Sequence, residues 1–396
     1  MCNLGSVNFS RHIKDGKFDE EKVVATTTVA MRMLDNVIDL NFYPTKEAKH
    51  SNLKHRPVGL GIMGFQNALY ELGINFESDE CVAFADQSME VVSHAAILAS
   101  TELAKERGAY ESFPGSKWDR GLLPHDTVKI LEEERGLTTD TPTGQTRDWA
   151  AVRAAIAKHG MRNSTCMAIA PTATISNIAG SVPSIEPIYK NIYVKANISG
   201  DFIIVNEALV NDLKDRGLWN QEMLYEIKYN DGSVAEIDTV PDDLKAKYKE
   251  TFEIDMRWLV KTTRARGRWI DQSQSLNIFY KGTSGQEISD LYLYAWEAGL
   301  KTTYYLRTLS ATQVEKSTID AKGTQLRNKP SDEKNTNDDT AVSDSSSTSD
   351  KPVKSPIATP SPITGEALRQ SKVAVKRPKN KIKLHIAEDE ICDACQ

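Results

Sequence analysis

The chain ends in ICDACQ, which sets Cys392 and Cys395 three positions apart with one residue after them. A Cys-x-x-Cys pair closes to a disulfide and reopens by thiolate attack, the chemistry of a redox shuttle. The same spacing supplies half of a tetrahedral zinc site, but that reading needs a second pair of ligands. Cys81 and Cys166 stand alone, and His385 is the only histidine near the tail. Redox exchange is therefore preferred over zinc, with an accidental pair as the plain alternative. Cys2 lies at the other end, in MCNLGSVNF. A lone cysteine is usually a small buried hydrophobe. The stretch NLGSVNF reads as the interior of a fold, so the chain is expected to begin partway through a domain.

Other stretches carry weaker signals. PTATIS, Pro171 to Ser176, follows the apolar run TCMAIA. A strand that leads into small and hydroxylated residues opening a helix can aim N–H groups and hydroxyls at a phosphate. A plain capping turn is the commoner use of such a stretch. VGLGIMG holds G-x-G-x-x-G at Gly59, Gly61 and Gly64, the pattern of a dinucleotide-binding turn. That turn needs a preceding strand, and SNLKHRP with Pro57 does not read as one. A glycine-rich turn packed against a helix starting near Phe65 is expected instead. RARGRW, Arg264 to Trp269, is short and isolated, and reads as a solvated helix face rather than a nucleic-acid patch. Tyr304 and Tyr305 are adjacent in KTTYYLRT. Taken locally, they are packed aromatics with polar tips.

These residues must be positioned by the elements around them. Val23 to Leu40 and Cys81 to Arg107 have apolar residues at helical spacing, the second stopping at Gly108. Thr165 to Ala170 and Ser275 to Tyr280 suit short buried strands. Helices mixed with buried strands argue for an α/β domain. Residues 313–384 change character: NKPSDEKNTNDDTAVSDSSSTSDKPVKSPIATPSP is polar, acidic and rich in Ser, Asp and Pro, and a basic stretch, SKVAVKRPKNKIK, follows. Such a composition cannot repay the entropy of ordering, so a disordered linker is expected. The dithiol tail, 385–396, then rides on a long tether. A net charge of −6 disfavours a general nucleic-acid or membrane-surface binder. No apolar run approaches the ~20 residues of a spanning helix, and no signal peptide opens the chain, so the cytoplasm is the expected compartment.

Together, CNLGSVNF, LDNVIDLNFYP, HRPVGLGIMGFQ, NSTCMAIAPTATISNIAGSVPSIEP, RGRWIDQSQSLNIF and WEAGLKTTYYLRT occur in one order, with CDAC at the end. Over residues 1 to about 310, and again at the tail, the chain resembles the large, catalytic subunit of class I ribonucleotide reductase. The resemblance implies the C-terminal part of a ten-stranded α/β barrel over residues 1–312, followed by the linker and the redox-active tail. It implies reduction of ribonucleotides, as diphosphates, to deoxyribonucleotides by radical chemistry. On that reading Tyr304 and Tyr305 pass the radical inward. Pro171, Thr172, Ala173, Thr174 and Ile175 hold the substrate phosphate. Cys2 is one of the two thiols that reduce the substrate, and Cys392 and Cys395 re-reduce it. The radical comes from a metal site in a partner small subunit, thioredoxin or glutaredoxin is the reductant, and no metal is expected in this chain.

The family also uses a radical cysteine in an Asn-Leu-Cys-x-Glu type motif, and no such motif occurs in this sequence. The expected arrangement is therefore a C-terminal portion that works with a separate N-terminal fragment. Rival readings are an adenosylcobalamin-dependent reductase fragment, a non-catalytic remnant and, weakest, a nicotinamide-dependent oxidoreductase. YYLRT argues for class I, because a cobalamin enzyme makes its radical locally and needs no tyrosine path.

Overall fold

The computed structural model describes residues 2–197 and 200–309, without the side chains of 194–202. The expected linker, and the tail with Cys392 and Cys395, lie outside the described residues.

Within them the chain forms a mixed α/β unit on a parallel ladder. The strand Leu4–Asn8 pairs in parallel with Gly59–Met63, Leu4 opposite Gly59 and Asn8 opposite Met63. The ladder continues through a parallel bridge from Leu60 to Met167, with Leu60 N–H donating to Cys166 O at 2.8 Å. A second bridge joins Ile169 to Gln274, and the strand Ile278–Tyr280 pairs in parallel with Leu306–Thr308. Parallel neighbours need long crossovers. The helices Glu20–Leu40 and Lys46–His55 make the first of them, and Phe65–Leu72, Asp79–Arg107, Asp126–Arg135 and Trp149–His159 the next.

The expected elements form for identifiable reasons. The helix Glu20–Leu40 starts where the Asp19 carboxylate accepts the Lys22 N–H at 3.0 Å, and Glu20 and Glu21 favour its N-terminal dipole. Its residues Val23, Thr27, Met31, Leu34 and Ile38 recur every three to four positions and are buried. Asp79–Arg107 is capped by Ser78, whose Oγ accepts the Cys81 N–H at 3.1 Å. It stops at Gly108, held at φ 85°, as its sequence predicts. Its buried residues lie on several faces because Glu20–Leu40, Trp149–His159 and Met256–Gly267 all pack against it.

Two expectations need correction. Gly59–Met63 is itself a fully buried strand rather than a turn, although a helix does start at Phe65. Its glycines serve close packing. A Cβ at Gly61 would collide with the carbonyl oxygen of Ala168 on the neighbouring segment. Arg264 to Trp269 is not a solvated face either: Arg266, Arg268 and Trp269 are buried. Trp269 stacks on Trp149 at 5.3 Å, and the Arg268 guanidinium lies 4.1 Å over the Trp269 ring and pairs with Asp86 at 2.8 Å. The TCMAIA run is extended as expected, but it joins the ladder through single bridges rather than a continuous strand.

One end of the ladder is locked by charge. Asp35 is buried and accepts from Arg56 Nε at 2.9 Å, Arg107 Nη1 at 2.9 Å and Asn163 Nδ2 at 3.3 Å. Arg56 and Asn163 stand just before the two neighbouring segments that start at Val58 and Thr165, so the network ties helix ends to strand entries. A second apolar cluster holds Leu209, Leu213, Met223, Ile227, Leu244 and Tyr248, together with Ile192 at the start of an antiparallel hairpin, Ile192–Asn197 with Gly200–Val205. Among the described residues no helix is long and apolar enough to cross a membrane.

Candidate active site

The opposite end of the ladder, where the strands finish, is where ligands gather in parallel α/β folds. The loop after Pro171 stands there. Gly64 N–H donates to Val182 O at 2.9 Å, and Val182 N–H donates to the Asn67 side chain at 2.7 Å. The loop is thereby tied down beside Asn8 and Gly64, the ends of the first two strands.

Its backbone is strained. Thr172 lies at φ 50° and Ser184 at φ 51°, a region that β-branched Thr rarely adopts. The two hold one another: Ser184 N–H donates to Thr172 Oγ1 at 2.7 Å. Both are buried, whereas Pro171, Ala173, Thr174 and Ile175 face solvent. The first turn of the short helix Ile175–Ala179 closes on this loop, with Ser176 N–H donating to Thr172 O at 3.0 Å and Ile178 N–H to Thr174 O at 3.4 Å. The backbone N–H groups of Ala173, Thr174 and Ile175 precede these bonds and are not required by them. The hydroxyls of Ser176, Ser181 and Ser184 are buried without a protein partner, as is that of Ser6 on the first strand. Buried polar groups are normally satisfied, so each of these hydroxyls retains unused hydrogen-bonding capacity.

The tyrosine pair sits at the same end of the ladder. Tyr304 N–H donates to Leu276 O, and Ile278 N–H donates to Tyr305 O, both at 2.8 Å. Successive residues in a regular strand point to opposite faces. Here the strand begins only at Leu306, so the two rings share one side, with centroids 4.0 Å apart. Tyr304 OH donates to Tyr305 OH at 3.1 Å. That bond is the main reason the Tyr304 phenol holds its proton more tightly than usual. The rings are 49% and 51% exposed, so a partner can reach the pair from outside. Two phenols in hydrogen-bond contact, one edge open, are suited to handing on an electron and a proton together.

Cys2 is exposed and stands just before the first strand, at the end of the ladder away from the loop. About six residues of strand separate the two levels, roughly 20 Å at 3.3 Å per residue. The described residues therefore bring the loop and the tyrosines together and leave Cys2 apart. Cys81 and Cys166 are buried; desolvation pushes the Cys81 thiol up to about 12 and the Cys166 thiol well above its usual value. Both are packing groups rather than nucleophiles.

Local reading of the sequence missed Glu186, Asn277 and Arg307, which surround Tyr305. The Asn277 amide donates to the Glu186 carboxylate and accepts the Tyr305 N–H at 3.3 Å. The Arg307 guanidinium lies 5.3 Å over the Tyr305 ring. Nothing in their spacing marks these residues, because they meet only when the strands pair.

A family model described as "Ribonucleotide reductase, barrel domain" matches residues 1–306. The chain is 54% identical over 321 residues to the ribonucleoside-diphosphate reductase subunit alpha of Chlamydia pneumoniae, covering 81% of this chain and 31% of that protein. It is 41% identical over 336 residues to the ribonucleoside-diphosphate reductase large chain of Schizosaccharomyces pombe, covering 85% of this chain and 40% of that one. A similar match, 40% identical over 322 residues, is found to the large subunit of Caenorhabditis elegans. The chain thus spans between 31% and 40% of the length of these relatives.

Proposed function

The chain belongs to the ribonucleotide reductase barrel family, and on that premise we propose that it forms part of the catalytic subunit of a ribonucleoside-diphosphate reductase. In this reading it completes a ten-stranded barrel with polypeptide that carries the remaining strands, the radical cysteine and the thiol partner of Cys2. A separate N-terminal fragment is one form of that partner.

The observation that carries the reading is the tyrosine pair. A 3.1 Å hydroxyl contact at a half-exposed edge, level with the strained loop, is what an inward relay from a second protein requires. A metal site in a small subunit supplies the oxidising equivalent. Tyr304 and Tyr305 accept and pass it, each phenol exchanging its proton with a neighbour within hydrogen-bond reach. Pro171, Thr172, Ala173, Thr174 and Ile175 form the loop that binds the diphosphate, Pro171 by shaping it and the residues after it through backbone N–H groups and hydroxyls, with orientation supplying much of the rate. Cys2 and its partner thiol give two electrons and two protons to the sugar, a C–O bond breaks and the hydroxyl oxygen leaves as water, and the thiols become a disulfide. Cys392 and Cys395 then reduce that disulfide by exchange, and thioredoxin or glutaredoxin restores them.

The test is reconstitution with the remainder of the subunit, a radical-generating small subunit and a dithiol reductant. Deoxynucleotide should form only when this chain is present, and Tyr305→Phe should reduce it to background. Turnover that persists in Tyr305→Phe would remove the tyrosine from the path.

A further inference from the structure

The loop and the tyrosine pair are joined by a short series of polar contacts that the activity above does not use. Ser184 is bonded to Thr172 in the loop at 2.7 Å. Two residues later, the Glu186 carboxylate accepts from Asn277 Nδ2. Asn277 Oδ1 then accepts the backbone N–H of Tyr305 at 3.3 Å. Asn277 is 5% exposed, so its amide depends on these partners rather than on water. Its two bonds also fix which way the amide points, since the nitrogen must face the carboxylate and the oxygen the N–H.

Glu186 has little freedom of its own. Ser184 is held at φ 51° on one side, and Pro187 on the other restricts the backbone of Glu186 directly. A second route from Glu186 to Tyr305 runs through Arg307. The guanidinium lies over the Tyr305 ring at 5.3 Å, and its charge acts on Glu186. One carboxyl therefore addresses both the backbone and the ring of the same tyrosine, from a segment tied to the loop.

We propose that Glu186, acting through Asn277 and Arg307, is the positioning residue that sets the orientation of Tyr305 relative to the loop after Pro171. The proposal rests on the relay reading for what Tyr305 does, but not for how Tyr305 is held.

The ionisation of Glu186 should register at the tyrosine. Burial lifts its carboxyl to about 7, against the opposing effects of Asn277 first and Arg307 second. Arg307, on the strand Leu306–Thr308, is the charged side chain that acts on it; Asn277, on the neighbouring segment, is neutral. Above that pH the carboxylate makes a charge-assisted bond to Asn277 and attracts the guanidinium. Below it the carboxyl is neutral, the attraction ends, and Arg307 is no longer pulled from one side across the ring.

The experiment labels tyrosine rings of the full chain with carbon-13, assigns the Tyr305 signal by its loss in Tyr305→Phe, and follows it from pH 5.5 to 8.5, a range in which an ordinary phenol, with a pKa of about 10, keeps its proton. The expected result is a step centred near pH 7. Glu186→Gln, whose amide oxygen still accepts from Asn277, should abolish the step while leaving the fold intact, read as cooperative thermal unfolding at or above the wild-type midpoint. Glu250→Gln, a buried carboxyl in the second apolar cluster's segment, should leave the step intact. A wild-type chain without the step, or a step that survives Glu186→Gln, overturns the proposal. Turnover of Tyr305→Phe separates the two claims. If the step is present and Tyr305→Phe stays active, the relay reading fails and the positioning stands. If the step is absent and Tyr305→Phe is inactive, the positioning fails and the relay stands.

Discussion

Thr172 and Ser184 hold each other in left-handed backbone conformations, through a 2.7 Å bond from the Ser184 N–H to Thr172 Oγ1. Neither residue type favours that region, so the bond and the packing around it must offset the strain. A loop made rigid in this way presents its N–H groups without having to order them on binding.

The first prediction follows from that bond. Thr172→Val keeps the shape of the side chain and leaves the buried Ser184 N–H without an acceptor. A cost of about 1–3 kcal/mol is expected, read as a lower urea midpoint with an unchanged slope. A midpoint equal to wild type would mean that the strain is carried elsewhere.

Gly61 tests why the glycine motif exists. Gly61→Ala drives a methyl into the backbone of Ala168, which cannot move without breaking the ladder. Destabilisation of about 1–3 kcal/mol or more is expected from overpacking. Titration with NAD or NADP should show no binding before or after the change. Saturable binding would revive the dinucleotide reading.

The buried Asp35 offers a sharper stability probe. Its partners Arg56 and Arg107 remain when it is replaced, and Arg56 is itself buried. Arg56 keeps its bond to the Asp39 carboxylate at 2.8 Å, so Asp35→Ala should cost about 1–3 kcal/mol, from guanidinium and amide donors left without their buried acceptor. The double change Asp35→Leu with Arg56→Met should recover part of the loss. Failure to recover any of it would point to a packing role for Asp35 rather than an electrostatic one.

Stability should also fall as pH rises from about 6.5 to 8. Burial lifts the Glu250 carboxyl to about 8 and that of Glu186 to about 7. Both exceed the unfolded value of ~4.3, so over this range the folded state holds protons that the unfolded state has released. Raising the pH then favours unfolding. The histidines whose affinity for protons is lowered by burial, His12, His55, His94 and His125, act with the opposite sign but below about 6.5. Glu250→Gln should flatten the decline in melting temperature across this window. An unchanged slope would show that Glu250 is not its source.

Much of this structure can be read in the residues. The helices Glu20–Leu40 and Asp79–Arg107 announce themselves through period and stop signals, and both lie within three residues of the expected bounds. The strand Gly59–Met63 was hidden because its glycines mimic a phosphate turn; their purpose appears only where Ala168 comes alongside. RARGRW looked solvated because arginines usually are. Arg266 is instead buried against Phe65 at 4.6 Å, a placement that the packing of Met256–Gly267 on Asp79–Arg107 decides. The PTATIS loop carries only a weak local signal, a strand leading into small and hydroxylated residues, and the tyrosines carry none, so both were singled out mainly through family resemblance. Glu186 and Asn277 were missed for want of any such signal, being 91 residues apart in the chain.

Such separations also bear on how the chain reaches its shape. The contact of Thr165 with Val58 spans 107 residues, and that of Gln272 with Met167 spans 105. Each ladder step therefore closes a long loop before any neighbouring step rewards it, which places the fold among slow, non-local folders. The Tyr305 bond to Asn277 spans only 28 residues, yet Asn277 lies on a segment fixed by the longer closures. During synthesis the tyrosine edge must wait for the ladder beneath it. Slow refolding, with tyrosine signals recovering last, is the expected kinetic counterpart of a site assembled from distant parts of one chain.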